Sequence, residues 1–108
     1  MKIIDFVPQH AIEQYNSQQA SAMHIASAPL HVVVIKLEAG GALGYHQAAT
    51  NQLFVVIEGQ GMVCGEDREN RQAVRHGQAV FWERGEWHET ITEQGLTAMV
   101  LEGEALVI

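Results

Sequence analysis

From Leu30 onward the chain is broken again and again, at short intervals, by a glycine or an acidic turn. The breaks stand at Gly40-Gly41, Gly59-Gln60-Gly61, Gly65-Glu66-Asp67, His76-Gly77, Arg84-Gly85 and Glu93-Gln94-Gly95. Too little chain lies between them for amphipathic helices. The intervening runs are rich in valine, isoleucine, threonine and aromatics, which suit a pleated, half-buried surface. Leu30–Leu37 carries the strongest signal, a β-branched run that is apolar on both faces, as in a barrel or sandwich wall. Tyr45–Ala48, Gln52–Glu58, Gly61–Cys64, Gln72–Arg75, Ala79–Trp82, His88–Thr92 and Leu96–Glu102 read as further strands. Many short strands with regular turns predict an all-β, antiparallel barrel or double-sheet roll.

The flanks are less regular. Ile3–Val7 reads as a strand stopped by Pro8. The polar stretch from Gln9 to Ala20 places Ala11, Ile12 and Tyr15 at helix-compatible spacing, as one turn or an irregular arm, and Ala22–Ala26 reads as a strand. Ala105–Ile108 is an apolar tail that must pack on its own barrel or on a partner subunit, because bare apolar surface is costly in water. At 108 residues the chain suffices for one core and not two. The expected division is an N-terminal arm over 1–29, a core barrel over 30–102 and the tail over 103–108.

Charge narrows the partners. A net charge of -7 argues against nucleic acid, which needs a basic face, and the six Lys and Arg residues form no cluster in sequence. No apolar run approaches the roughly 20 residues that span a bilayer. Asp5 and Pro8 interrupt the segment where a signal peptide would be apolar, so a cytoplasmic location is expected. The lone Cys64 has no partner for a disulfide or a CxxC site, and reads as a small core residue. Serines 17, 21 and 27 have no histidine–acid spacing around them, and no glycine loop opens a helix to cradle phosphate.

Two stretches carry the chemistry. In the first, Gly40 is followed after five residues by His46, then by Ala48, Gln52 and Gly59. In the second, Gly77 is followed by Glu83, Gly85, His88 and Thr92. These spacings resemble the two signature motifs of the cupin family, and the wording around His46-Gln47-Ala48 and Trp82–His88 resembles a branch of small single-domain bacterial cupins. The resemblance implies an antiparallel jelly-roll barrel, a homodimer, and an interior site for a small organic ligand. In metal-bearing members the motif side chains hold one divalent cation, often iron, manganese, nickel or zinc, on three histidines and a glutamate. His46 and His88 match that set. Ala48 stands where the second histidine belongs, and Gln52 where the glutamate does.

The resemblance therefore implies a metal set of His46, Gln52 and His88. Some ring-cleaving dioxygenase cupins manage with two histidines and the glutamate, a facial triad with open positions. Gln52 is the graver departure, since an amide supplies a neutral carbonyl oxygen and removes one unit of charge. Two imidazoles and an amide suit nickel, copper or zinc more than a hard cation. The alternative is a metal-free polar cavity in which the histidines hydrogen-bond to Gln52 and water. Gln52→Glu distinguishes the two: it strengthens a metal centre and burdens a dry cavity with a buried charge.

Strand alternation directs Phe54 and Val56 to the side of Gln52, and Thr90 and Thr92 to the side of His88. Phe81 and Trp82 alternate, so one lines the cavity and the other packs outside. The expected pocket lining is thus Phe54, Val56, Phe81, Trp82 and Thr90, with Trp82 and Trp87 as a candidate aromatic lip. Glu83, Arg84, Glu86 and Glu89 form a charged rim or a gate. His10 and His76 read as solvated, and His24 and His31 as strand-wall residues or extra ligands. Three functions follow: a ligand-binding cupin, catalytic as a metal-dependent dioxygenase or isomerase if it holds metal; a metal-free sensing module acting through a partner protein; or a structural homodimer.

Overall fold

A computed structural model describes residues 1–5, 10–11, 21–22 and 30–106, the two short segments by backbone alone. The strands are β1 (Lys2–Asp5), β2 (His10–Ala11), β3 (Ser21–Ala22), β4 (His31–Leu37), β5 (Ala42–Gln47), β6 (Gln52–Cys64), β7 (Gln72–Arg75), β8 (Gln78–Trp82), β9 (Trp87–Ile91) and β10 (Leu96–Glu102). No helix occurs among the described residues, and all pairings are antiparallel. One sheet runs β1-β8-β6-β10-β4, and a second joins β5, β9, β6 and β7. The pair β2–β3 stands apart.

The expected break at Gly59-Gln60-Gly61 does not occur: β6 continues through it as one strand shared by both sheets. Its first half pairs β8 and β10, and its second half pairs β7 and β9. A bulge makes this corner possible. Thr97 faces Glu58 while Ala98 faces Val56, which leaves Ile57 extra, and Gly59 follows at φ 84°. A Cβ at Gly59 would lie 2.3 Å from the Gly95 carbonyl oxygen, so only glycine lets the two backbones approach.

The interior is packed. Ala48, Phe54, Val56, Val63, Val74, Val80, Trp82, Leu96, Ala98 and Val100 form one buried cluster between the sheets. Leu53, Phe81 and Leu106 form a second on the outer side of the large sheet, with Ile4, Leu30, Val55, Ala79 and Leu101 around it. The tail therefore packs on its own barrel as far as Leu106, which is fully buried. Asn51 fastens it there, accepting from the Arg84 amide and donating to the Leu106 carbonyl. Val107 and Ile108, the strand ends predicted at Phe6–Val7 and Met23–Ala26, the Ile12–Tyr15 arm, His24 and the His10 side chain lie outside the described residues.

Candidate functional site

β5 and β9 bring the two motif histidines together. His46 and His88 occupy opposite positions of the ladder, with ring centroids 4.4 Å apart. A register shift between Leu43 and His46 turns this end of β5. His46 is exposed, and its Nδ1 lies 2.6 Å from the Gly44 carbonyl oxygen. A carbonyl only accepts, so Nδ1 carries the proton, and Nε2 is the nitrogen that offers a lone pair in the neutral ring. His88 is 4% exposed, and its Nε2 has no hydrogen-bond partner among the described residues. Burial, then the neighbouring His46 charge, lowers the His88 pKa to about 4, against a smaller upward pull from Glu86. The ring is neutral at physiological pH, as a ligand nitrogen must be.

Trp82 forms the floor. Its ring lies 4.3 Å from His88 and 5.9 Å edge-on to Phe54, and its Nε1 donates to the Cys64 carbonyl at 3.2 Å. Phe54, Val56, Trp82 and Thr90 are all buried, the first three within the cluster between the sheets. Phe81 alternates to the outer cluster. Trp87 is 40% exposed and stacks on Tyr45 at 5.2 Å, so the two tryptophans do not meet as a lip.

Gln52 stands beside Trp82 in the ladder and makes no hydrogen bond to either motif histidine among the described residues. Its Nε2 donates to Glu102 Oε1 at 2.7 Å. Glu102 is absent from the sequence motifs, yet it sits in the inward phase of Leu96, Ala98, Val100 and Glu102, and that alternation is the signal for it. His31 faces Glu102 from β4 and is exposed. Exposed His76 caps the β7–β8 turn, where its amide donates to Gly59.

The charged residues near the second motif brace loops. Glu86 pairs with the Met1 amino group and accepts from the Glu83 amide, and Arg84 pairs with Glu104. Glu89 is held by Arg71 at 2.8 Å and Arg68 at 3.3 Å, and the Arg71 bond keeps its carboxyl below the usual range. A separate cleft of about 530 Å³, lined by Gln60, Met62, Val74, Arg75, Ile91 and Gln94 among others, lies at the β6 corner, away from the histidines.

Two nitrogen lone pairs in adjacent rings, one of them buried and unpartnered, fit a divalent cation. The donor set is neutral, however, and no group of three His, Cys, Asp or Glu side chains converges among the described residues. It fits a cation that prefers nitrogen, held weakly, and does not fit a carboxylate-bearing centre.

Residues 33–102 match the family model described as a cupin domain. No curated protein matches the chain. Among solved structures, an RmlC-like cupin from Shewanella frigidimarina is similar with a TM-score of 0.64 at 20% identity, over 70% of this chain and 67% of that one. A predicted oxalate decarboxylase from Thermotoga maritima is similar at 0.59 and 18% identity, over 70% and 65%. The DMSP lyase DddQ from Ruegeria pomeroyi is similar at 0.64 and 24% identity, over 76% of this chain but 42% of its own. At such identities the likeness concerns the fold alone.

Proposed function

The chain belongs to the cupin family, and from its motif geometry we propose that the barrel mouth binds a small organic ligand beside a weakly held, nitrogen-preferring divalent cation. The observation that carries this reading is the buried, unpartnered Nε2 of His88 in contact with His46. A buried polar atom without a partner costs about 1–3 kcal/mol, so a ligand that satisfies it is favoured. His46 and His88 would hold the cation through Nε2, with the Gln52 carbonyl as a third donor. Nickel and zinc suit that set better than iron or manganese.

The remaining residues position and shield. The Gly44 carbonyl fixes the His46 ring and its tautomer. Trp82 closes the floor and keeps water from the inner side of His88. Ala48 adds a methyl where the family pattern has a histidine, and its amide and carbonyl tie the two motif loops through Glu86 and Gly85. When bound, the cation supplies Lewis acidity toward an oxygen of the ligand, which the dioxygenase or isomerase chemistry implied by the resemblance requires.

Elemental analysis of protein purified without an affinity tag, beside His46→Ala, tests the reading. One cation per chain, lost in the variant, is the expected result. No uptake after incubation with nickel and zinc removes the metal centre and leaves a metal-free ligand module.

A further inference from the structure

Across the large sheet, ladder register aligns four side chains at one level: His31 opposite Glu102, Glu102 opposite Gln52, and Gln52 opposite Trp82. Directly opposed residues share a face. Two positions further along the same strands stand Val100, Phe54 and Val80, all in the interior cluster, so the row lies on the inner face. Glu102 is half-buried and forms no ion pair among the described residues. The one hydrogen bond its carboxylate makes there is from Gln52 Nε2.

An ionised carboxylate only accepts, so an amide facing it must turn its NH2 group that way. Gln52 has Glu102 on one flank and Trp82, whose ring lies 4.3 Å from the tilted ring of His88, on the other. An amide whose nitrogen is committed to Glu102 carries its carbonyl oxygen toward the Trp82–His88 flank. Donation to a charged acceptor also draws electron density onto that oxygen and raises its basicity. Glutamine in the motif position thus gains from Glu102 both the orientation and part of the charge that a glutamate there would have.

We propose that Glu102 is a positioning residue that aims the Gln52 carbonyl into the His46–His88 site and restores the negative charge absent from position 52. The inference rests on the cation reading above and names the group that makes a neutral donor set workable. It also revises the meaning of Gln52→Glu: with Glu102 one hydrogen bond away, the single change sets two carboxylates against each other.

Cobalt(II), whose absorption bands report its ligand field, serves as the probe in titrations of the wild type, Glu102→Gln, Gln52→Glu and the double exchange. Glu102→Gln should weaken cobalt about tenfold or more and alter the spectrum. The double exchange, with the acid and amide swapped, should bind at least as tightly as the wild type and more tightly than either single variant. Equal affinity of Glu102→Gln and wild type, or no rescue in the double exchange, overturns the proposal. A second measurement needs no metal. The Gln52 side-chain NH2 signals of 15N-labelled protein should be displaced by the charged acceptor and slow to exchange in the wild type, and revert in Glu102→Gln. Unchanged signals overturn the proposal, whereas failure of the wild type to take up cobalt removes the cation reading alone.

Discussion

Acid should loosen this fold through His88. The imidazole titrates near 6.5 when the chain is unfolded and at about 4 in the barrel, chiefly because burial disfavours its charged form. The unfolded chain therefore takes up a proton before the folded one does, and the proton stabilises the unfolded state. Stability is complete above about pH 6.5 and is lost progressively as pH falls toward about 4. At about 1.4 kcal/mol per pH unit the full span amounts to about 3 kcal/mol, of which about 2 kcal/mol falls between about pH 7 and pH 4.5. Glu89, whose carboxyl is held low, adds a loss in the same direction only at the acid end of that window. Urea midpoints of the wild type and His88→Gln, followed by tryptophan fluorescence at those two pH values, isolate the histidine. The variant should be less stable at neutral pH, yet lose about 2 kcal/mol less on acidification. Parallel losses in the two proteins would refute the assignment of a buried neutral imidazole.

Other changes test packing and assembly. Leu106→Ala should cost about 2–5 kcal/mol in urea denaturation, because its side chain is fully buried in the outer cluster; a negligible cost would mean the tail does not dock on its own barrel. Gly59→Ala should cost at least about 1 kcal/mol, the least that a positive φ charges a side chain, with the clash at Gly95 added, and a thermal melt unchanged from wild type would argue against the bulged corner. Trp87→Ala, at an exposed stack, should lower stability by no more than about 1 kcal/mol, measured the same way. A homodimer would use β4, whose outer face leaves Val32 and Val34 at 52% and 63% exposure; Val34→Glu should then sediment as a monomer, and an unchanged coefficient rules out that face.

Strand content, the antiparallel barrel, the family and the places of the two motif histidines along the chain are legible without the fold. Each of these rests on local spacing, which survives without knowing what lies opposite: alternation sets a side chain's face, glycine sets a turn, and motif distance sets a level along a strand. Even Trp82 and Phe81 were separable as one in and one out, though not which. Whatever depends on register between distant strands is visible only in the folded molecule. Glycines 59 and 61 look like punctuation in the chain and become a bulged corner only because Gly95 passes 2.3 Å from where a Cβ would stand. Phe54 and Val56 are buried because the second sheet sets Val63 and Val74 against the large sheet, where Ala98 lies beside Val56, and Thr90 is buried opposite Val63 within the second sheet. Glu102 faces Gln52 across 50 residues of chain. Nothing local marks that pairing, since a ladder contact is fixed by how two strands are brought together and not by the residues between them.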